Sequence, residues 1–473
     1  MIRKGLKILA ALCLLLLIVI VVVYYQSVNY TMYSLTLEGE TYNKINTRKE
    51  LNTLVDSLVT EMTLEEKVNQ MYGEKMWHSV PKFLINAGIN KRFPHVYVGR
   101  NERLNIPPWV LSDGPRGARV LDKKVEAVTT FPVAMARGAS WDTDLERQVN
   151  EVIAIEMRAN QTNYAATPCI NLLRHPGWGR AQETYGEDPW HLGQMGIAAV
   201  NGLQYHNVMA CPKHFALNSI ENSRWVVNVE VDDRTLREVY LPHFKKVIQE
   251  GEAASLMSAY NYVNGEQAGA NKELLTDILR DEWGFDGFVS TDWVYGLYDG
   301  IAGVNAGLDV EMPWQQQYKQ HVIEEGITSG EITEKQIDEI VTRILRTRLR
   351  FALAEDPMTY DHSAIATDPH IRLARTVAEK SMVLIKNDDV LPFNSESGKK
   401  IAVIGRLADI TNTGDQGSSD ATPPYVITPF QGIKNFHAKL GNEVLHDDGS
   451  DPEKARQLAK EADEVIIVVG YTH

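Results

Sequence analysis

The stretch GFDGFVSTDW, Gly284–Trp293, decides how the middle of this chain folds. Its apolar, β-prone centre contains Phe288 and Val289, and it ends on an acid and an aromatic residue, Asp292 and Trp293. A short apolar run that turn residues bound predicts a buried strand. A carboxylate at the carboxyl end of such a strand lies where α/β barrel enzymes place their chemistry. We therefore predict that Asp292 lies at the mouth of a barrel.

Short β-prone runs alternate with helix-like segments on both sides of this stretch. The runs Val208–His214, Ala253–Asn261 and Ala306–Pro313 are separated by segments such as Asp233–Glu250 and Lys272–Trp283. This alternation predicts a parallel sheet. It extends over about 300 residues, the length of a TIM-type (β/α)8 barrel with long loops. We place that barrel at residues 50–355, closed by an amphipathic helix at Thr333–Leu353.

A second α/β unit is predicted after the barrel. Residues 356–398 read as a linker, and residues 399–473 contain two near-continuous apolar runs, Ile401–Ile404 and Val465–Val469. Such runs are typical of parallel strands that are covered on both faces. Only two or three strands fit into this length, so we expect an incomplete α/β sandwich domain.

The N-terminus differs in composition from the rest of the chain. Arg3, Lys4 and Lys7 precede Ile8–Tyr25, an unbroken run of 18 apolar or aromatic residues. This length is close to that of a transmembrane helix, and the preceding basic residues favour a cytoplasmic N-terminus. We expect residues 1–26 to be a membrane anchor or signal segment and residues 27–49 to be a stalk. The barrel is then extracytoplasmic, at the cell surface or in the periplasm, and is secreted if the segment is cleaved.

Composition excludes some classes of partner. The 473 residues carry a net charge of −14, which argues against a nucleic-acid partner because such a partner needs a basic surface. Three cysteines are too few for a disulfide scaffold, and we expect Cys169 and Cys211 to be buried free thiols rather than a bridge. The spacing of cysteine and histidine does not suggest a zinc site. We expect neither a metal nor an organic cofactor.

Four further motifs precede or flank the opening stretch, in the order DGPRG (Asp113–Gly117), LLRHPGWGRAQETYGEDP (Leu172–Pro189), KHFALNS (Lys213–Ser219) and SAYNYVNG (Ser258–Gly265). In this order they resemble the β-glucosidase branch of glycoside hydrolase family 3, and the similarity extends from about Leu51 to the last residue. The resemblance implies hydrolysis of O-glycosyl bonds at terminal non-reducing β-D-glucosyl residues. It also implies double displacement with retention and makes Asp292 the catalytic nucleophile.

The resemblance further implies a set of sugar-binding residues. They are Asp113, Arg119, Arg174, Lys213, His214, Tyr260 and Trp293. Asp113 would accept hydrogen bonds from two sugar hydroxyls, and Trp293 would offer an apolar wall to a pyranose face. Tyr260 would hydrogen-bond Asp292 and keep it ionised, with plain core packing as the alternative. Adjacent residues on a strand point to opposite faces, so Lys213 and His214 can share a ligand only at a strand end or bulge.

Other charged residues of these motifs are predicted to have supporting roles. We expect a structural ion-pair network beneath the site, formed by Arg180, Glu183, Glu187 and Asp188. Asp309 and Glu311, on the last predicted barrel strand, are expected to support the pocket rather than to take part in the reaction.

The acid/base of a retaining mechanism is not assigned by the motifs. The N-acetylglucosaminidase branch looks like KHFPGHG with a following Asp–His dyad, whereas the residues after His214 read Phe-Ala-Leu-Asn-Ser-Ile-Glu-Asn. In glucosidase relatives the acid/base is a Glu on a loop after a strand similar to Val465–His473, so we expect it to be missing from this chain. Three alternatives stay open: a non-catalytic sugar-binding protein, a fragment whose longer natural chain carries the Glu, and a family 3 β-xylosidase or arabinosidase.

Overall fold

The computed structural model describes residues 47–75, 96–119, 125–393, 396–414 and 417–472, with residues 14–15, 17–19 and 21–22 of the N-terminal segment. Most of the predicted anchor (1–26) and stalk (27–49) lies outside these residues. Among the residues that are described, none of the helices combines the length and the apolar character needed to cross a membrane. The anchor therefore stays a prediction.

The first described helices begin at capping boxes. Helix α1 is Arg48–Glu61 and α2 is Leu64–Val68. At the start of α2, the Thr63 hydroxyl accepts a hydrogen bond from Glu66 N at 3.3 Å, and the Glu66 carboxylate accepts one from Thr63 N at 2.9 Å. These two bonds satisfy amide groups that a helix N-terminus otherwise leaves without partners.

The strands of the first unit are short. They are β1 Tyr72–Glu74, β2 Tyr97–Val98, β3 Trp109–Ser112, β4 Tyr164–Ala165, β5 Met209–Ala210, β6 Asn228–Val229, β7 Ser255–Met257, β8 Tyr262–Val263, β9 Glu266–Gln267, β10 Phe288–Ser290 and β11 Glu311–Trp314. Strands β6, β8 and β9 form a separate small sheet outside the main circuit.

The other eight strands follow one another around a circuit. Parallel pairs join β3 to β4, β4 to β5, β7 to β10, and β11 to β1. The amide of Met257 donates to the carbonyl of Pro212 at 3.1 Å, which connects β7 to the segment after β5. A bridge from Ser290 to Val310 connects β10 to the start of β11. The α/β class predicted from the sequence is confirmed.

One strand of the circuit runs in the opposite direction. Strand β2 lies beside β1 and pairs with β3 in antiparallel fashion, Tyr97 opposite Val110. The expectation of an all-parallel barrel is therefore wrong at this point. The physical reason is the short connection between β2 and β3: residues 99–108 form a turn with an antiparallel bridge, Asn101 to Ile106. A parallel crossover needs a dozen or more residues.

Helices cover the outside of the circuit. They are α3 Ala134–Ala139, α4 Thr143–Ala159, α5 Pro189–Tyr205, α6 Asp233–Thr235, α7 Pro242–Gln249, α8 Gly300–Ala306, α9 Gln320–Ser329 and α10 Glu334–Ala352, with π-helical stretches at Leu236–Tyr240 and Glu273–Glu282. The predicted closing helix is confirmed as α10. It is capped by Thr333 and packs on α1 and α2, and it buries Ile337, Ile340, Val341, Ile344 and Leu345.

Aromatic rings fill the inside of the circuit. The ring of Trp109 on β3 lies 4.5 Å from that of Tyr164 on β4 and 5.6 Å from that of Phe288 on β10. All three side chains are fully buried. The interior is therefore a packed core, and open space for a ligand has to lie at an end of the strands.

The second unit is smaller. Helix α11, Asp368–Lys380, precedes the parallel sheet formed by β12 Lys400–Ile404, β13 Glu443–Asp447 and β14 Glu464–Ile467, in the order β13-β12-β14. Helices α12 Pro429–Ala438 and α13 Pro452–Glu461 connect these strands. The apolar residues of β12 are buried, as the sequence pattern predicts.

Strand β14 departs from the expectation of a strand covered on both faces. It is an edge strand, and Val465, Ile467 and Val469 have relative exposures of 37%, 67% and 83%. Its alternate residues face solvent because no described element packs on that face. An apolar run by itself does not tell a central strand from an edge strand.

Candidate active site

Asp292 lies where β10 ends. The amide of Thr291 donates to Val310 O at 2.8 Å and that of Val294 to Met312 O at 3.0 Å, so β11 holds the turn on both sides of Asp292. Trp293 and Val294 have φ values of 111° and 70°, which turn the chain sharply after the strand. The side chain of Asp292 is only 10% exposed. The predicted placement of Asp292 at the carboxyl end of a strand is confirmed.

Burial dominates the ionisation of Asp292. It raises the pKa of this carboxyl group to about 6, against the opposing influence of three cations, Arg180, Lys213 and Arg224, and of the Tyr260 hydroxyl. One carboxylate oxygen, Oδ2, has no hydrogen-bond partner among the described residues. Asp292 is therefore a buried carboxylate, ionised at neutral pH, with an oxygen free to react.

His214 is neutral and held in one tautomer. Asn171 Oδ1 accepts from the main-chain N of His214 at 2.8 Å and from its Nδ1 at 2.9 Å. Arg180 Nη1 lies 3.0 Å from Nε2, which must therefore accept. Burial and the charge of Arg180 keep the pKa of His214 well below its ordinary value. Nε2 is 3.4 Å from Asp292 Oδ2, but it carries no proton to donate there.

Asp113 joins the cluster around Asp292 through Lys213 and Arg119. It follows the last residue of β3, and its Oδ2 accepts from Arg119 Nη1 at 2.7 Å. Lys213, whose side chain is almost fully buried, places Nζ 3.9 Å from Asp113 Oδ1. Lys213 and His214 lie beyond the end of β5, the situation in which neighbouring side chains can share a ligand. The structure thus brings together four of the predicted residues around Asp292.

Arg174 is not part of this cluster in the structure. Its side chain is exposed, and its guanidinium lies over the ring of Tyr240, 5.7 Å from the centroid. The arginine of the same motif that reaches the site is Arg180, which we predicted to lie beneath it. Nε and Nη2 of Arg180 donate to the two carboxylate oxygens of Glu183 at 2.9 and 2.7 Å, while Nη1 faces His214.

The predicted network beneath the site is therefore half correct. Arg180 and Glu183 form a buried bidentate pair, but Glu187 and Asp188 are exposed and do not join it. Asp188 instead caps helix α5 by accepting from His191 N at 2.7 Å. The acidic residues of this motif thus have different roles: Glu183 belongs to the network, whereas Asp188 caps a helix. Residue type alone does not distinguish these roles.

Arg224 is a site residue that the sequence reasoning missed. Its guanidinium stacks over the ring of Tyr260, 4.7 Å from the centroid, and Nη1 pairs with Glu221 Oε2 at 2.8 Å. Its charge lowers the pKa of Asp292. The adjacent residue, Trp225, is the one local signal that could have drawn attention to it, because an arginine beside an exposed tryptophan is typical of a binding surface.

Tyr260 acts on the backbone next to Asp292. Its hydroxyl donates to the main-chain carbonyl of Trp293 at 2.8 Å, so it holds the turn that presents Asp292. The same hydroxyl also lowers the pKa of Asp292 through a side-chain hydrogen bond, in agreement with the predicted interaction with the carboxylate. Trp293 is partly buried against the core. Trp225 packs beside Tyr260, Tyr295 packs beside Trp225, and these two exposed residues form an aromatic rim.

Asp309 and Glu311 support the site without reaching it. Asp309 is fully buried and accepts from Arg280 Nη2 at 2.6 Å, Arg343 Nε at 2.8 Å and Val289 N at 2.7 Å, so it fixes β10 from below. The Glu311 carboxylate accepts from the main-chain amides of residues 316–318. Both contacts agree with the predicted supporting role.

A loop of the second unit reaches the pocket. Ser418 Oγ accepts from Arg180 Nη2 at 3.0 Å and donates to Glu183 Oε2 at 3.3 Å. The carbonyl of Gly417 accepts from Arg119 Nη2 at 3.4 Å. The same arginines that face Asp113 and His214 are therefore held from the second unit, a contact that the sequence reasoning did not foresee.

Cys169 and Cys211 are buried free thiols, as predicted. Burial raises the pKa of the Cys169 thiol to about 11, so it is protonated at neutral pH. Within the described ranges there is no group of three or more His, Cys, Asp or Glu residues that could hold a metal ion.

Comparison with known protein families gives two matches. Residues 94–347 match the family model described as the glycosyl hydrolase family 3 N terminal domain, and residues 382–473 match its C-terminal domain. Among curated relatives, Beta-glucosidase B of Emericella nidulans is 32% identical over 421 residues, covering 88% of this chain and 47% of that protein. Thermostable beta-glucosidase B of Acetivibrio thermocellus is 34% identical over 434 residues, covering 88% and 54%.

Solved structures show the same similarity. Beta-glucosidase 3B from Thermotoga neapolitana, in complex with alpha-D-glucose, is 30% identical with a TM-score of 0.72, covering 86% of this chain and 56% of that one. The chain thus spans about half the length of the curated relatives and of this structure.

Proposed function

The chain belongs to glycoside hydrolase family 3, and from this premise we propose that it acts as a retaining β-glucosidase on terminal non-reducing β-D-glucosyl residues. The observation that carries the proposal is the environment of Asp292: a buried carboxylate at the end of β10, with a free oxygen and three cations around it. In the proposed first step this oxygen attacks the anomeric carbon while the bond to the leaving oxygen breaks. Water then cleaves the glycosyl ester and restores the carboxylate.

The proposed sugar site lies between Asp113 and His214. Asp113 offers carboxylate oxygens to sugar hydroxyls, and its bond to Arg119 fixes their direction. Lys213, beside Asp113, and Arg180, beside His214, are further donors of the cluster. His214 Nε2 accepts from Arg180 Nη1 and so holds this guanidinium beside Asp292. The aromatic rim of Trp225 and Tyr295 suits the apolar face of a second sugar unit.

The acid/base is not assigned to a described residue. The described groups that act on the pKa of Asp292 are cations and a tyrosine, whereas a retaining mechanism requires a second carboxyl group about 5 Å away. The leaving oxygen of an aryl glucoside with an acidic phenol needs little protonation, while general acid help is worth about 10²–10⁴-fold for an alkyl leaving group. Activated aryl glucosides are therefore the appropriate probes for the polypeptide of residues 1–473.

Covalent trapping tests the proposal. A 2-fluoro glucoside with an activated aryl leaving group should label the polypeptide, and mass spectrometry should locate the sugar on Asp292. The variant Asp292→Asn should not be labelled, while the exposed control Asp144→Asn should be labelled as the unchanged protein is. Labelling that persists in Asp292→Asn would remove Asp292 as the nucleophile. Binding of glucose without any labelling would favour a non-catalytic sugar-binding protein.

We also propose that the barrel lies outside the cytoplasm, held by the apolar segment Ile8–Tyr25. The support is the sequence: its length and the preceding basic residues. Protease added to intact cells or spheroplasts should digest the barrel, and a shielded barrel would contradict this placement. A soluble product that starts near Ser27 would instead indicate cleavage.

A further inference from the structure

A positively charged cleft lies at the end of the circuit opposite the candidate active site. It has a volume of about 300 Å³ and lies between the start of α1, the last turns of α10 and the segment before β10. Its polar lining consists of Thr47, Arg48, Asp286, Arg346, Thr347 and Arg350.

The cleft is separate from the candidate active site. Asp286 lines the cleft and precedes β10, whereas Asp292 follows the same strand. Six residues of extended chain separate them, which corresponds to about 20 Å at roughly 3.3 Å per residue. A ligand in the cleft would therefore not contact the carboxylate that the proposed hydrolysis uses.

Two of the three arginines have no ionic partner in the part of the chain that the structure describes. Arg48 pairs with Asp286. Arg346 makes no ion pair there, and its Nε is buried with no hydrogen-bond partner. Arg350 makes no ion pair either, and its described ring contact is with Phe351, 5.0 Å from the centroid. A buried guanidinium donor without an acceptor is costly, so Arg346 Nε presents an unsatisfied donor to the cleft.

The electrostatics of Arg350 point in the same direction. Arg350 is exposed at the mouth of the cleft. Partial burial of its guanidinium lowers the pKa, as does the charge of Arg48, while Asp286 and Glu252 raise it. Three guanidinium groups thus face two carboxylates, in a chain whose net charge is −14. An anion in the cleft would remove this local excess of positive charge.

We propose that this cleft binds a phosphate-type oxyanion. The planar guanidinium matches the geometry of phosphate oxygens and donates two parallel hydrogen bonds, and the hydroxyls of Thr47 and Thr347 supply further donors. The oxyanion is a free phosphate or the phosphate of a lipid headgroup. The second source is relevant because Thr47 lines the cleft and lies near the end of the predicted stalk, residues 27–49, which joins the predicted anchor to the barrel.

Calorimetric titration of the full chain with inorganic phosphate, at constant ionic strength in chloride, tests the proposal. We expect one saturable site. The double variant Arg346→Gln/Arg350→Gln should lose affinity by about tenfold or more, because hydrogen bonds to charged groups are removed. The variant Arg346→Lys/Arg350→Lys keeps the charge, so its phosphate affinity should lie between those of the unchanged protein and the glutamine variant. It supplies the test if the glutamine variant does not fold.

Arg375→Gln is the matched control. Arg375 is an exposed arginine on α11, outside the cleft, and its loss should leave the phosphate affinity unchanged. Absence of saturable binding, or equal weakening by Arg375→Gln and by the double variant, would overturn the proposal.

Vesicles distinguish the two sources of phosphate. The full chain is mixed with phosphatidylcholine vesicles, with and without phosphatidylglycerol, so that apolar insertion contributes equally to both. Additional binding to the anionic vesicles that the double glutamine variant loses would identify a lipid headgroup. Binding of inorganic phosphate without additional binding to the anionic vesicles would identify a soluble phosphate compound as the ligand.

Discussion

At the scale of the residue, the proposed chemistry depends on keeping one buried carboxylate ionised. Burial raises the pKa of Asp292 to about 6, and the cations Arg180, Lys213 and Arg224 prevent a larger rise. Each of these cations has its own anchor: Glu183 for Arg180, Asp113 for Lys213 and Glu221 for Arg224. The site is thus a set of ion pairs arranged around a carboxylate whose Oδ2 has no hydrogen-bond partner among the described residues.

The pKa of Asp292 predicts an acid limb in the rate. A nucleophile must be ionised, so kcat/KM for an activated aryl glucoside should fall as the pH decreases through about 6, by tenfold per pH unit below it. Stopped assays between pH 4 and 8 would measure this limb. A midpoint near pH 4, the ordinary pKa of an aspartate, would show that burial does not raise the pKa of Asp292.

The raised pKa of Asp292 also predicts that the folded protein becomes more stable when the charge of this carboxylate is removed. Between pH 3.8 and about 6 the folded protein binds more protons at Asp292 than the unfolded chain does, so stability falls as the pH rises through this window. At pH 7 the ionised Asp292 lowers the free energy of unfolding by at most about 3 kcal/mol, since one pKa unit corresponds to about 1.4 kcal/mol. Asp292→Asn should therefore raise the Tm at pH 7 and have no such effect below pH 3.8. An equal effect at both pH values would contradict the electrostatic explanation.

Asn171 is expected to act through His214. Without its oxygen, the proton of His214 is no longer held on Nδ1, and Nε2 can lose its role as an acceptor. Asn171→Ala should raise KM by about tenfold, the value of one or two hydrogen bonds, with a smaller change in kcat. Asn150→Ala is the control, because Asn150 is equally buried but bonds only within α4. Equal effects of the two variants would indicate general destabilisation.

At the scale of the element, helix α10 closes the barrel unit. Its apolar face packs on α1 and β10, and Ile344 in its middle is fully buried. Ile344→Ala should lower the free energy of unfolding by about 2–5 kcal/mol because it leaves a cavity. Lys335→Ala, on the exposed face of the same helix, should change it by less than about 0.5 kcal/mol. Urea denaturation followed by tryptophan fluorescence would compare the two variants, and similar midpoints would contradict the assignment of α10 to the core.

At the scale of the whole molecule, the two units differ in how well they are covered. The barrel unit has a continuous core, whereas the sheet of the second unit exposes one side of β14. Open strand edges and uncovered apolar faces reduce the protection of backbone amides from hydrogen exchange, and they favour aggregation with other chains. Even so, the second unit is coupled to the site, because Gly417 and Ser418 bond to Arg119 and Arg180.

Hydrogen exchange should detect this difference. We expect the amides of β14 to exchange faster than those of β3 and β10, and the segment after Lys399 to be the more prone to aggregation. Peptides that cover β12, the central strand of the small sheet, serve as an internal control and should be protected. Equal protection of β14 and the barrel strands would show that the open edge is covered in solution.

The sequence by itself determined the features that depend on neighbours along the chain. The strand before Asp292, the capping box at Thr63 and the closing helix each follow from local periodicity or from side chains that bond three residues away. The family motifs added the identity of the residues at the ends of the strands. Asp113 follows the last residue of β3, and His214 lies beyond the end of β5.

Only the tertiary structure decided the features that depend on distant segments. Arg180 rather than Arg174 faces His214, since the direction of a loop is set by what it packs against and not by its own composition. Arg224 and Ser418 reach the site from outside the predicted residues, the latter from another unit. The reversed β2 and the exposed β14 follow from chain connection and sheet order. Contacts between segments that are not neighbours along the chain leave no local pattern, and for this reason the sequence pattern could not reveal them.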